Sequence, residues 1–310
     1  MKVITVVNRK GGVGKDVVAH GLCFGLSRTF QSDGQTHIIL LYHTDVAGDI
    51  ENPVIRQPGR PYLSVRGKKA FTEVVESIER LGQTDRLIVV VNGGANRAEV
   101  DKEIAEASDL VLVPVTHSDD AYVRSRLTFD ALYADIRKHK GKSRKLIRFV
   151  WNQWPGDRER RARITKAQSY KEFDEINSIV TMETRIPDLY PLKVLANYSV
   201  PMADHRFYGV IFKPLEKLVR EVSELLDLKL VFNPNDLIGE DDEDNVGGVA
   251  AGDQEIIDTE DEEAKADDEV EDEYDLNEFA ANTAGGSDEE KDEEGDFLDK
   301  YDLSDFDNLK

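Results

Sequence analysis

Unbroken apolar runs recur along the first half of the chain, and a longer amphipathic stretch separates each run from the next. The runs lie at positions 3–7, 38–42, 87–91, 110–115 and 146–151. Runs of Val, Ile and Leu without polar alternation are typical of strands that are covered on both faces. The stretches at 17–28, 65–81, 97–107 and 120–138 have helical periodicity. Strands that alternate with helices predict an α/β fold, with a mostly parallel, doubly wound sheet flanked by helices.

Two more elements complete the predicted domain, a strand near 179–185 and a helix at 208–226. Between the second and third apolar runs, residues 57–66 are rich in Pro, Gly and Arg and predict a surface loop. We therefore assign residues 1–235 to one α/β domain.

The charge divides the chain at the end of this domain. Residues 236–310 hold 32 acidic and 4 basic residues, a net charge of −28, whereas residues 1–235 carry +6. A segment that repels itself and has little apolar surface to bury stays disordered, so we predict an acidic, disordered C-terminal tail. Aromatic and Leu residues return among the acids at 296–306. This pattern fits either a short helix that docks on a partner protein or a solubilising tail with stray aromatic residues.

The single cysteine, Cys23, cannot form an intrachain disulfide because the chain contains no second cysteine. The apolar run at 3–7 is too short for a signal peptide, and no stretch has the apolar length of a membrane span. We expect a cytoplasmic protein that does not bind a membrane. The spacing of His and Cys predicts no iron–sulfur or transition-metal site. We interpret His20 as a packed or surface residue and His43 as a strand-end residue without a special role.

A glycine-rich segment follows the first apolar run and precedes the first predicted helix. Glycine lets backbone N–H groups approach an anion closely, and the helix N-terminus adds its dipole. Lys15 supplies a positive charge toward the terminal phosphates. The segment therefore predicts a phosphate-binding loop, here called the P-loop (residues 8–16). Its nucleotide-binding residues are Lys10, Gly11, Gly12, Val13, Gly14, Lys15, Asp16 and, after it, Val17.

The P-loop resembles the deviant Walker A motif of the ParA/MinD ATPases, which partition plasmids and chromosomes or position cell machinery. The resemblance rests on Lys10-Gly11-Gly12-Val13-Gly14-Lys15, in which Lys10 stands at the place of the family's additional lysine. It implies that ATP and Mg²⁺ are bound. It also implies an ATP-dependent homodimer in which Lys10 reaches the partner's nucleotide, and catalytic roles for Lys10 and Lys15.

Further segments extend this resemblance to about residue 226. Asp45, in Asp45-Val46-Ala47-Gly48-Asp49, matches the carboxylate that positions the attacking water. Asn152 matches an asparagine that contacts the adenine, and Pro187 lies at a weaker C-terminal landmark. By the resemblance, Asp45 is catalytic, and Asn152 and Pro187 belong to the nucleotide site.

Two positions depart from the family's pattern. Asp16 replaces the Ser or Thr whose hydroxyl ligates Mg²⁺, and the family's spacing places Asn92 where an aspartate holds the metal's water shell. One interpretation is an exchange, in which Asp16 and Asn92 hold Mg²⁺ with the formal charge unchanged. The other is damage, because Asp16 without a metal repels the β-phosphate. The sequence leaves weak ATPase turnover open and favours nucleotide binding.

Two dense groups of cations flank the predicted strand at 146–151, one from Arg137 to Arg148 and one from Arg158 to Lys166. Such a surface neutralises DNA phosphates without reading base sequence, which would associate the protein with the nucleoid. An ordinary solvated surface has the same composition. The tethered acidic tail is present at high local concentration and would compete with DNA for this surface.

Together these patterns predict a ParA-like ATP-binding protein that dimerises on ATP and partitions or positions DNA, such as a plasmid or chromosome, or another cargo. The alternative is a non-hydrolysing, nucleotide-bound scaffold or accessory factor in plasmid maintenance or conjugative transfer, with the tail as its arm toward a partner protein. A small-molecule enzyme of the same fold, such as a biotin-pathway synthetase, accounts least well for Lys10 and the basic segments.

Overall fold

The computed structural model describes residues 1–31, 34–44, 54–55, 62–94, 106–138, 146–189, 192–193 and 205–232. The strands in these ranges are β1 (Lys2–Val6), β2 (Thr29–Gln31), β3 (Ile38–His43), β4 (Val54–Ile55), β5 (Leu63–Arg66), β6 (Leu87–Asn92), β7 (Leu110–Val115), β8 (Leu146–Trp154), β9 (Thr181–Pro187) and β10 (Leu230–Phe232). The helices are α1 (Lys15–Leu26), α2 (Lys68–Arg80), α3 (Asp119–Lys138), α4 (Arg158–Lys166), α5 (Gln168–Asn177) and α6 (His205–Leu225). Among these helices, none combines the length and the apolar character that a bilayer crossing requires.

Eight of these strands form one sheet in the order β4-β5-β3-β6-β1-β7-β8-β9. Neighbouring strands are parallel, except that β4 runs antiparallel to β5 at the edge. From β1 the chain continues to β3 on one side of β1 in the sheet, and after β6 it crosses to β7 on the other side of β1. The carboxyl ends of β6, β1 and β7 therefore border the crevice where sheets of this kind bind ligands. The predicted fold class is confirmed.

Helices cover both faces of the sheet, which explains why the strands are apolar without alternation. Val90 of β6 packs into a core shared with Leu22 of α1 and Leu218 of α6. The adjacent Val89 faces the opposite side and packs with Val74 of α2. Consecutive residues of one strand are thus buried against different helices.

Two glycines allow α6 to lie close against α1. A Cβ atom at Gly25 would be 2.6 Å from Val219 Cγ2, and a Cβ atom at Gly21 would be 2.8 Å from Leu215 Cδ2. Both distances are shorter than van der Waals contact, so an alanine at either position would force Leu215 or Val219 to shift.

The expected surface loop at 57–66 is wrong for its last residues, because Leu63–Arg66 forms β5 and pairs with β3. Four residues beside a Pro- and Gly-rich stretch are too few to show a strand pattern. The predicted helix at 65–81 accordingly begins later, at Lys68, after Gly67 with φ 85°.

Besides β5, five elements were not predicted: the helices α4 and α5, the edge strand β4, and the antiparallel pair of β2 with β10. No residue of α4 is buried, so it carries no apolar periodicity. Its start does have a local signal, since the side chain of Asp157 accepts hydrogen bonds from the N–H groups of Glu159 and Arg160. Most of the predicted helix at 97–107 and the whole acidic tail lie outside the described residues.

Candidate functional site

The P-loop connects the central strand β1 to α1 at the carboxyl edge of the sheet. Gly12 and Gly14 both have φ +74°, a left-handed conformation that other residues adopt only with strain. Gly14 is the N-cap of α1, and Lys15 and Asp16 form the helix's first turn, followed by Val17. The first N–H groups of a helix lack intrahelical acceptors, so they are suited to bind an anion beside the Lys15 side chain.

The first half of the P-loop is fixed by Asn8, which is fully buried. Its Nδ2 donates to Pro114 O at 2.8 Å and to Ser125 Oγ at 2.7 Å, and its Oδ1 accepts from Lys10 N at 2.8 Å. The neighbouring Arg9 N donates to Thr128 Oγ1 at 3.3 Å. Asn8 thereby ties the loop to the end of β7 and to α3.

Lys10 lies over the start of α3, where its Nζ is 2.5 Å from Asp120 Oδ2. Asp120 also accepts a hydrogen bond from Arg124 Nε at 2.7 Å. The hydrogen bonds from Lys10 and Arg124 lower the pKa of the Asp120 carboxyl. Lys10 and Asp120 are partly exposed, with 33% and 49% of their side-chain surface accessible to solvent. Lys10 can therefore leave Asp120 and contact another group.

The second half of the P-loop is supported from β8 by Asn152, which is fully buried. Asn152 Nδ2 donates to Val13 O at 2.8 Å and to Gly14 O at 3.3 Å. A Cβ atom at Gly14 would lie inside van der Waals contact with the same nitrogen. Asn152 Oδ1 is buried without a hydrogen-bond partner among the described residues. The amide therefore holds the loop, and an adenine contact stays a prediction.

The next residue, Gln153, has φ 57°, which is uncommon for a residue with a Cβ atom. Its carbonyl oxygen lies 2.9 Å from His117 Nε2, which donates to it. Burial lowers the pKa of His117, so its imidazole is neutral at pH 7. Pro187 pairs with Trp154 at the same edge of the sheet. The ends of β8 and β9 thus form one wall beside the P-loop.

On the other side of the P-loop, Asp16 meets the end of β6. Asn92 Nδ2 donates to Asp16 Oδ1 at 2.5 Å. Asn92 is buried, with 4% of its surface exposed, whereas Asp16 is exposed. The Asn92 Oδ1 atom is buried and has no hydrogen-bond partner in the described part of the chain.

Asp16 is compatible with Mg²⁺, since a carboxylate is a hard donor, whereas the Asn92 amide presents its N–H, and not its buried Oδ1, to Asp16. The described residues contain no group of three or more His, Cys, Asp or Glu side chains that could hold a metal ion.

Two histidines lie behind this pair. His43 Nδ1 is 3.2 Å from Asn92 Nδ2, and His43 Nε2 is 2.9 Å from Ser64 Oγ. His20 Nδ1 is 2.8 Å from the Tyr62 hydroxyl, and the two imidazole rings are 5.5 Å apart between centroids. The interpretation of His43 as a strand-end residue without a role missed its contact with Asn92.

The structure brings most of the predicted site residues to one edge of the sheet: Lys10, Gly11, Gly12, Val13, Gly14, Lys15, Asp16, Val17, Asn92, Asn152 and Pro187. Asp45 lies outside the described residues. The sequence analysis missed the contacts of Asn8, Asp120, His43 and Gln153. A usable signal existed for His43, because it ends a strand just as Asn92 does, and parallel strands end at one edge.

The two basic segments differ in how far their cations are exposed. Helix α4 exposes five cations and one acid within nine residues. Arg148, by contrast, is half-buried, donates to Ile147 O, and has its pKa lowered by burial. The cations at 139–145 lie outside the described residues. Of the two predicted basic segments, α4 therefore supplies the basic surface that is described.

Comparison with solved structures places this architecture among known folds. The chain is similar to apo McdA of Cyanothece, with a TM-score of 0.53 and 12% identity over 72% of this chain and 99% of that one. It is also similar to the cell division protein MinD of Aquifex aeolicus, with a TM-score of 0.50 and 15% identity over 72% and 98% of the two chains. No protein-family model matches the chain, and the search of curated proteins gives no match. The chain thus has the fold of McdA and MinD.

Proposed function

We propose that this protein is an ATP-binding molecular switch of the ParA/MinD type, which dimerises on ATP and positions or partitions DNA or another cargo. The observation that carries the proposal is the P-loop at the centre of the sheet, bordered by two lysines, Lys10 and Lys15. Its conformation depends on glycines at positive φ, on the hydrogen bond that Lys10 N donates to Asn8 Oδ1, and on the one that Asn152 Nδ2 donates to Val13 O. A loop held on both sides in this way is preorganised for phosphate.

In the proposed site, Lys15 and the first turn of α1 bind the phosphates. Lys10 leaves Asp120 and reaches the nucleotide of a second copy. Asp16 would ligate Mg²⁺, which offsets the negative charge of the phosphates, and Asn92 would hold Asp16 in place through its N–H. Asp45 orients the attacking water, and Asn152 and Pro187 contribute to the base side of the site.

Nucleotide titration tests this proposal directly. The full chain is mixed with a fluorescent ATP analogue, with and without Mg²⁺, and its mass is measured by light scattering in the same conditions. We expect saturable, Mg²⁺-dependent binding and a shift from monomer to dimer. Lys15→Ala should abolish binding, whereas Lys10→Ala should bind ATP and remain monomeric. Absent binding, or a Lys10→Ala variant that still dimerises with ATP, contradicts the proposal.

The second candidate is a non-hydrolysing, nucleotide-bound scaffold. It is favoured by the carboxylate at Asp16, which stands where phosphate charge is expected and accepts a hydrogen bond from Asn92 Nδ2. Steady-state phosphate release with and without DNA separates the two candidates. Stimulated turnover supports the switch, and stable binding without turnover supports the scaffold.

The cargo side of the proposal rests on α4. Arg160, Arg161 and Arg163 are exposed, and a helix without buried residues is free to present its charge to a phosphate backbone. We propose that this surface binds DNA without base specificity. The acidic tail is proposed to contact a partner protein and to compete with DNA for α4.

A further inference from the structure

A line of polar side chains crosses three neighbouring strands and ends at the P-loop. Ser64 of β5 contacts His43 of β3 at 2.9 Å, His43 contacts Asn92 of β6 at 3.2 Å, and Asn92 contacts Asp16 at 2.5 Å. His43 and Asn92 are direct partners in the parallel register of β3 and β6. The sheet therefore fixes the distance between these two side chains.

The contacts of Asn92 determine which end of its amide faces Asp16. Nδ2 lies within hydrogen-bond distance of both Asp16 Oδ1 and His43 Nδ1. The Asn92 NH₂ group has two N–H bonds and can only donate, so the His43 Nδ1 that faces it is an acceptor. The neutral imidazole then carries its proton on Nε2, which donates a hydrogen bond to Ser64 Oγ. In the reversed orientation, Oδ1 would face the Asp16 carboxylate, which is unfavourable.

The orientation is maintained although it leaves Asn92 Oδ1 buried without a partner in the described part of the chain. Burying an amide oxygen in this way is unfavourable, so the two hydrogen bonds of Nδ2 must outweigh it. The acceptor on His43 is thus as necessary to the arrangement as the carboxylate of Asp16.

This network also explains why residues 16 and 92 depart from the family's pattern together. Two carboxylates at this separation would repel each other and raise the pKa of one of them. An aspartate at 16 therefore requires a hydrogen-bond donor at 92, and a donor aimed at Asp16 requires an acceptor at 43.

We propose that His43, supported by Ser64, is a positioning residue of the metal side of the nucleotide site. It fixes the Asn92 amide so that its N–H holds the Asp16 carboxylate in place, which leaves Asp16 as the carboxylate available to the ion. The inference rests on the proposed nucleotide-binding function and deepens it. His20 and Tyr62 form a hydrogen-bonded pair beside His43, and Tyr62 supplies a control.

The first test compares nucleotide affinity with Mg²⁺ and with a chelator in the full chain. His43→Leu and Ser64→Ala should reduce the gain in affinity due to Mg²⁺ by about tenfold, the usual scale for removing a side chain that orients a metal ligand, while the metal-free affinity stays unchanged. His43→Asn retains an acceptor near the place of Nδ1 and should restore most of the gain. Tyr62→Phe removes a hydroxyl from the neighbouring pair and should have no effect.

The second test needs no nucleotide. In protein labelled with ¹⁵N-asparagine, the side-chain amide protons of Asn92, assigned with Asn92→Ser, should exchange slowly in wild type and rapidly in His43→Leu. Thermal unfolding and circular dichroism verify that each variant is folded.

The two tests separate two kinds of failure. Wild type that binds no ATP contradicts the proposed function, whereas protected Asn92 protons would still support the positioning role. A folded His43→Leu variant with wild-type Mg²⁺ dependence or unchanged amide exchange overturns the inference.

Discussion

Lys10 and Asp120 form an ion pair within one chain, with 2.5 Å between Nζ and Oδ2. The loop position of Lys10 is fixed by Asn8, and the position of Asp120 is fixed by the start of α3. In the proposed function, the same lysine must reach the nucleotide of a second copy. The ion pair therefore competes with dimer formation.

Asp120→Asn should strengthen ATP-dependent dimerisation, because Lys10 no longer has to leave a carboxylate. The gain should be at most about fivefold, since partly exposed ion pairs contribute little free energy. The dimer dissociation constant is measured by sedimentation at several protein concentrations with ATP. Asp119→Asn is the matched control, because it removes the same charge from the neighbouring residue. Weaker dimerisation of Asp120→Asn than of the control would contradict the prediction.

The Asp120 pair also predicts a pH dependence. The folded-state pKa of Asp120 is lowered by Lys10 and Arg124, so the ion pair is complete above the carboxyl's unfolded pKa and is lost as the pH falls through the lowered value. In the nucleotide-free chain, the ¹³C chemical shift of the Asp120 carboxyl should titrate below the range of an unperturbed aspartate. Lys10→Ala should move that midpoint upward. A midpoint that does not move would show that Lys10 is not the partner in solution.

Gly14→Ala should destabilise the protein more than Gly12→Ala. Both glycines have φ +74°, so alanine pays the same backbone cost of about 1–2 kcal/mol at each position. Only the Gly14 Cβ atom would collide with Asn152, while nothing lies within 4 Å of a Cβ atom at Gly12. Urea unfolding should show a further loss of about 1–3 kcal/mol for Gly14→Ala. Equal losses would mean that Asn152 moves aside without cost.

Gly25→Ala should lower the free energy of unfolding although alanine favours helices. The gain in helix propensity is about 1 kcal/mol, and overpacking against Val219 costs about 1–3 kcal/mol. Thermal and urea unfolding measure the net loss. Gly156→Ala places a methyl group where nothing lies within 4 Å and should be nearly neutral. A stabilised Gly25→Ala variant would contradict the close contact of α1 with α6.

The triple variant Arg160→Ala, Arg161→Ala, Arg163→Ala should weaken DNA binding uniformly across sequences. If each arginine neutralises one phosphate, the slope of log affinity against log salt should fall in magnitude by up to about 2.7. Affinity is measured by fluorescence anisotropy at several salt concentrations with ATP present. Lys68→Ala, Lys69→Ala, at the start of the distant α2, is the control. An unchanged slope in the triple variant would remove α4 from the DNA interface.

Deleting residues 240–310 in the same assay tests the proposed competition between the acidic tail and DNA. If the tail competes, the DNA affinity should be higher after the deletion.

The position of the P-loop was predictable because its signals are local. Gly12 and Gly14 need left-handed φ values, and an apolar strand and an amphipathic helix flank them in sequence. The strands around Val90 were predictable for a related reason, because burial on both faces makes every residue of the run apolar. β5 was not predicted because four residues are too few to show an alternating pattern. α4 was not predicted because none of its residues is buried, so it has no apolar periodicity.

The sequence by itself determined the phosphate-binding loop, the parallel sheet and the division of charge between body and tail. Backbone conformation, burial and charge each restrict the residue type at their own position, so they can be read from the sequence. The tertiary structure alone decided which distant side chains meet: Lys10 with Asp120, Asn152 with the P-loop carbonyls, and Asn92 with both Asp16 and His43. These contacts depend on strand order and register, which bring residues 76 and 49 positions apart within hydrogen-bond distance. These hydrogen bonds form between groups that the fold places together, and the type of a residue does not specify which distant residue it contacts.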